Sequence, residues 1–225
     1  MAVRNPKIIN YPEPNFYQDI NLVSKTGCVS AGNENDWFCS PESQMGLLGC
    51  DSISTDERLG GFDPPYTIWQ CNPNETVSKD YVVSKSGCTG GYSYTKSFVL
   101  AMNGKYRLLN VKDISDLKET FGPIDSDNEA LSYLIAASEF YKPLEGIWPQ
   151  FHFYTDFSPV FYLQEVNGTH VENVKDGYLI NMFGGDNTCG CYDHSIYQIM
   201  ILVTKGGEFQ ILNRHLAYTF YACGD

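Results

Sequence analysis

The sequence predicts an α+β fold: one main helix packed on a curled antiparallel β-meander, preceded by a disulfide-rich irregular segment of short strands and loops. Three observations predict it. Apolar runs joined by Asn-Gly, Asp-Gly and Gly-Gly turns fill the last third. A capped stretch with a helical apolar face stands before them. Cysteines and prolines crowd the first third, where no period lasts. A chain of 225 residues can bury about 70% of its open surface, so a real core is available without cross-links.

Taken in order, residues 1–75 are broken by Pro12, Pro14, Pro41, Pro64, Pro65 and Pro73 and by Gly60-Gly61. They read as short strands and loops pinned by cysteines. Tyr81-Val82-Val83 is a candidate strand. Ser97–Met102 and Lys105–Val111 flank Asn103-Gly104, a strong short hairpin signal because both turn residues tolerate positive φ. Ser115 caps a short helix ended by Gly122-Pro123. Ser126-Asp127-Asn128-Glu129 is a capping box in which Glu129 reaches back to the Ser126 amide. Ala130, Leu131, Tyr133, Leu134 and Ala137 then form one apolar face on the main helix. The meander follows: Val160–Val166, Thr169–Val174, Tyr178–Phe183, Ile196–Val203 and Phe209–Leu212, with Ala217–Ala222 as a last strand. A helix before such a sheet is expected to bury its face on it. The expected domains are residues 1–111, the loop and hairpin segment, and residues 112–225, the helix and meander, joined by at least one disulfide into one body.

Two resemblances add to this. Leu59-Gly60-Gly61-Phe62-Asp63-Pro64-Pro65-Tyr66 running to Cys71, Pro123-Ile124-Asp125-Ser126 running into Glu129–Tyr133, and the Cys189-Gly190-Cys191 loop resemble segments of a family of uncharacterised secreted bacterial proteins. They cover about a fifth of the chain. The resemblance implies secretion and a shared fold and says nothing about chemistry. The order of helix then meander is similar to a cystatin-type or NTF2-type roll, an analogy of fold alone.

Composition excludes several function classes. Fifteen basic against 27 acidic residues leave a formal charge of −12, a poor match for phosphate backbones, so no nucleic-acid partner is expected. No apolar run reaches the ~18 residues of a spanning helix. The eight cysteines, Cys28, Cys39, Cys50, Cys71, Cys88, Cys189, Cys191 and Cys223, lack the paired C-x-x-C spacing of structural zinc sites and suit disulfides formed outside the cytosol. Five lie in residues 28–88 and three in 189–223. If all pair within the chain, an odd number of bridges joins the two groups. The start, Met1-Ala2-Val3-Arg4, has no apolar signal core and reads as the site of a removed signal peptide. Asn74-Glu75-Thr76 and Asn167-Gly168-Thr169 are sequons that fit secretion, with Asn74 and Asn167 as the acceptors.

The densest reactive constellation is Asp186, Cys189, Cys191, Asp193 and His194. A thiolate there needs His194 as base and Asp193 to orient it. The same cysteines with His194 and a fourth ligand, His170 or His215, could hold zinc. A Cys-Gly-Cys disulfide is strained and labile, which would suit redox exchange. Against these stands the plain reading, structural half-cystines that anchor the loop, and no metal or other cofactor is expected. The four histidines, His152, His170, His194 and His215, form no metal motif. Carboxylate pairs occur at Asp113/Asp116, Asp125/Asp127 and Glu139/Glu145, and a glycosidase would need two carboxylates opposed across a cleft; Asp113, Asp116, Asp125, Asp127 and Glu129 read more plainly as helix-start charges.

Aromatics are dense: Tyr, Phe and Trp number 16, 13 and 3. Trp148, Phe151, Phe153 and Tyr154 fall within seven residues, and Trp37 and Trp69 lie in the cysteine-rich part. Exposed, such rings suit a protein interface or a glycan surface. The sequence therefore predicts a secreted, non-catalytic binding or assembly module whose partner is another protein, itself, or a glycan. The competing readings are a secreted enzyme built on Cys189, Cys191, Asp193 and His194, and an inhibitor-like roll that presents loops to a protease.

Overall fold

A computed structural model describes residues 2–12, 23, 25–32, 36–55, 59–62, 67–73, 96–102, 105–111, 114–137, 159–185 and 190–224. Strands dominate. Two compact units divide the chain: one holds the described residues of Asn15–Val83 and Ser93–Ala137, the other those of Met1–Pro14 and Ser138–Asp225.

The first unit is a six-stranded antiparallel sheet in sequence order. Its strands are β2 (Cys28–Ser30), β3 (Asp36–Cys39), β4 (Cys50–Thr55), β5 (Thr67–Pro73), β6 (Lys96–Met102) and β7 (Lys105–Val111), with β1 reserved for the earlier Lys7–Ile9 strand of the other unit. Met102 pairs with Lys105, as the predicted hairpin requires. Alternation sorts the side chains by face. Cys28, Cys39, Ile53, Trp69, Cys71, Val99 and Ala101 share one face and form a core with Val23, Met45 and Cys50. Met45 comes from α1 (Gln44–Leu47), whose N-cap Ser43 accepts from the Gly46 amide at 2.9 Å. On the other face, Ile68, Phe98 and Leu100 are buried, and Arg107 opposite Leu100 donates to Thr120 of α2 (Ile114–Phe121) at 3.4 Å.

The main helix is α3 (Asp127–Ala137). Its cap forms as the sequence predicts, with the Glu129 amide donating to Ser126 Oγ at 3.1 Å. The reciprocal arm differs by one residue: Glu129 Oε2 accepts from the Asp125 amide at 2.8 Å, not from Ser126. Every residue from Glu129 to Ala136 is buried, so the helix is enclosed on all sides and not on one face. The Leu59–Phe62 segment supplies part of that cover: the Gly61 amide donates to Ser132 Oγ at 3.0 Å, and Phe62 stacks on Phe121 with ring centroids 3.9 Å apart. A Cβ on Gly61 would sit 2.2 Å from Asn128 O, so only glycine allows this approach.

This overturns the expected α+β roll. The main helix is not packed on the meander in the manner of a cystatin or NTF2 roll. It is buried in the unit of the first sheet, and the protein is mostly β with curled antiparallel sheets.

The second unit contains the predicted meander. Its sheet runs β10 (His170–Val174), β11 (Gly177–Gly185), β12 (Gly190–Thr204), β13 (Phe209–Gly224) and β8 (Val160–Phe161). The β12–β13 hairpin is one long ladder, where the sequence suggested separate strands over 209–212 and 217–222. Two register shifts leave Leu212 and Ala217 of β13 without an opposite residue, which makes them β-bulges. The sheet face bearing Phe183, Ile196, Tyr218 and Phe220 needs cover. It comes from the segment that opens the chain. There β1 (Lys7–Ile9) pairs in parallel with β9 (Glu165–Asn167), and Ile8 and Val166 pack on that face beside Phe161 and Leu163. A strand pair thus occupies a place on the meander that the sequence had assigned to a helix.

Candidate functional site

The reactive loop can be tested by strand geometry. Cys191, Asp193 and His194 lie in the first turns of the β12 ladder, opposite Cys223, Tyr221 and Phe220. Adjacent residues of a strand point to opposite faces. Cys191 and Asp193 therefore share one face, and His194 lies on the other, where its ring stacks on Phe220 with centroids 5.4 Å apart. The Cys–His–Asp relay weighed from sequence is not assembled by these three residues. The Cys191 sulfur is also already held in a disulfide, so it is not a thiolate. Asp186 and Cys189 lie outside the described residues, as do Cys88, Asn74, His152, Glu139, Glu145 and Tyr81–Val83.

The histidines separate in the same way. His170 on β10 and His215 on β13 do share a face. Three strand spacings of ~4.8 Å part them, roughly 14 Å, too far for one ion. His170 is engaged locally: Nδ1 donates to Gly168 O at 2.7 Å, Nε2 faces Glu172 Oε1 at 3.2 Å, and the ring stacks on Tyr11 with centroids 3.8 Å apart. Among the described residues, no group of three or more His, Cys, Asp or Glu side chains is placed to hold a metal ion.

Of the aromatic candidates, Trp148, Phe151, Phe153 and Tyr154 lie outside the described residues. Trp69 is fully buried and stacks on Tyr106 with centroids 5.9 Å apart. Trp37 is half-buried against the same core. Both rings fill the space beside the half-cystines, and Trp69 offers no surface to a partner.

The exposed apolar groups lie elsewhere. Cys28 pairs directly with Cys39 across β2 and β3, and their disulfide faces the core. One residue along, Val29 pairs with Phe38 on the opposite face, where they are 66% and 60% exposed. Asp36, Ser52, Ser54, Gln70 and Asn72 share that side of the sheet by register, so the pair stands on polar ground. The signal was present in Cys28-Val29 and Phe38-Cys39: an inward cysteine forces its neighbour outward. A second apolar row, Phe209, Ile211 and Leu212, lines the start of β13, where β8 pairs only with Tyr218 and Thr219.

Two buried polar atoms mark the second unit. Among the described residues the Tyr218 hydroxyl has no hydrogen-bond partner, and burial pushes its phenol above the ordinary tyrosine range. Asn181 donates from Nδ2 to the carbonyls of Asn167 and Gly168 at 2.9 and 3.0 Å. That fixes the backbone of the second sequon, whose Asn167 is half-buried and whose Thr169 is buried.

No protein-family model matches the chain, and no curated protein or solved structure is significantly similar to it.

Proposed function

We propose that the chain is a secreted, disulfide-stabilised, non-catalytic binding or assembly module of an extracellular structure or cell surface. The observation that carries this reading is the state of its sulfur. Cys28–Cys39 and Cys50–Cys71 are bridged, Cys191 is bonded, and no free cysteine occurs among the described residues. Cross-links of this kind persist in oxidising compartments. They also leave no thiol on Cys28, Cys39, Cys50, Cys71 or Cys191 for a cysteine enzyme to use. The outward Val29–Phe38 pair adds contact area on a hairpin whose other face is covalently locked. Locking lowers the entropy lost when such a surface meets a protein partner. The acidic balance keeps the free chain soluble.

Thiol titration of the denatured, unreduced protein tests the reading. It should give close to zero equivalents; a value near eight would remove both the compartment and the passive role of the Cys191 region. Sedimentation over a wide concentration range should show association that Val29→Ser with Phe38→Ser weakens by roughly tenfold, about 1.4 kcal/mol. Unchanged association would remove that face from the proposal.

A further inference from the structure

The opening segment of the chain is held in the second unit by a small and repetitive set of contacts. The Val3 amide donates to Phe161 O at 2.7 Å, the Lys7 amide to Gln164 O at 2.8 Å, and the Gly168 amide to Ile9 O at 2.7 Å. Lys7, Ile8 and Ile9 pair in parallel with Glu165, Val166 and Asn167. Lys7 Nζ meets Glu165 Oε2 at 3.0 Å, and Tyr11 stacks on His170 while its hydroxyl stands 3.5 Å from Asn167 Oδ1. Ile8 is the side chain of β1 that packs on the apolar cluster.

Together these contacts form a slot with high shape specificity and modest grip. A three-residue parallel ladder is a short pairing, and parallel pairs are the less stable kind. The Lys7–Glu165 pair is solvent-exposed and contributes little. Release of the segment would bare Val166, Phe161 and Leu163 along with the open edge of β9, an arrangement that favours quick refilling. Every hydrogen-bond, ion-pair and ring partner named above belongs to Phe161–His170, and Ile8 adds the apolar cluster of Val166, Phe183, Ile196, Tyr218 and Phe220, so the slot recognises the sequence of the segment and not the molecule that carries it.

We infer that residues 2–11 are an exchangeable arm, and that the slot formed by Phe161–His170 also binds the same arm of a second copy of this chain. The exchange costs little because each arm regains identical contacts, and a reciprocal pair closes as a two-fold dimer. This inference rests on the assembly reading above and names its partner.

The test mixes equal amounts of ¹⁴N- and ¹⁵N-labelled protein, unfolds them with disulfides intact, and refolds them together at high concentration. A carbodiimide then joins the Lys7 amine to the Glu165 carboxylate, and the cross-linked peptides are weighed. In the dimer fraction about half of the Lys7–Glu165 links should be of mixed isotope, as random pairing of two equal populations requires. Single-isotope links in every fraction would overturn the inference, and so would the absence of any Lys7–Glu165 link. Dimers that carry only single-isotope links would overturn arm exchange while leaving assembly standing; a strict monomer would overturn both.

Discussion

The two sheets are held in register by different means. In the first, the strands at one end are short: β2 has three residues and β3 four, and both disulfides with described partners lie on β2–β3 or β4–β5. In the second, β12 and β13 run for 15 and 16 residues and meet along a nearly continuous ladder. The bonded Cys191 stands one residue inside the open end of that hairpin, where ladders fray, and not in its middle. One bridge thus ties the shortest pairing of that sheet, β2–β3, and the other ties β4 to β5 beside the register shift at Cys50/Ser52. Long strands need no such help, because a slip by one residue would turn every buried side chain toward water.

Breaking this contrast starts with sulfur. Cys50→Ala with Cys71→Ala opens a loop of 21 residues in sequence separation and should cost about 3 to 4 kcal/mol. Hydrogen exchange should show that loss in β2–β5, while amides of β11–β13 keep their protection. Equal loss in both sheets would mean that the units unfold as one and that the contrast is only local geometry.

The second sheet should be most sensitive to its backbone. Gly177 has φ of 153°, and a Cβ there would meet Val203 O at 2.1 Å and Thr204 Cα at 2.8 Å. Both neighbours are main chain on the facing strand and cannot swing away. Gly177→Ala should cost about 2 to 3 kcal/mol in a denaturant melt. A cost under ~0.5 kcal/mol would show that the ladder yields more readily than strand length suggests.

The smallest effect comes from Tyr218. Its phenol is raised above the ordinary value of 10.0 by burial, so the folded state holds the proton more tightly than the unfolded chain. Its contribution is intact below pH 10 and falls as pH rises beyond it, because only the unfolded chain ionises there. At pH 11 the loss from this one group is about 1.4 kcal/mol. Tyr218→Phe should therefore lose that much less stability than the parent between pH 9 and 11. Identical alkaline losses would place the effect on other tyrosines.

Much of the local structure was legible in the sequence. Met102 meets Lys105 because Asn103-Gly104 leaves two residues for the turn, and Ser126 caps α3 because a hydroxyl three residues before Glu129 can accept its amide. The meander order from β10 to β13 followed from turn residues in the same way. What failed was the choice of partner. Helix periodicity says that a face must be buried, not which sheet buries it. Lys7-Ile8-Ile9 is too short to register as a strand, yet it supplies cover for the second sheet. The candidate site was less legible. Sequence proximity gathered Cys191, Asp193 and His194, and strand alternation separated them. Trp69 drew notice as an aromatic, and its position beside the half-cystines put it wholly inside.

The two extra residues of β13, Leu212 and Ala217, have a consequence beyond curvature. An incoming strand zips along an edge only if donors and acceptors recur every second residue. At each bulge that rhythm slips, so a straight foreign strand finds a few matched groups and then a mismatch. Ile211 and Leu212 are 47% and 49% exposed on that border and would otherwise invite endless sheet growth. The irregular border breaks the repeat that a straight foreign strand would need in order to pair along it.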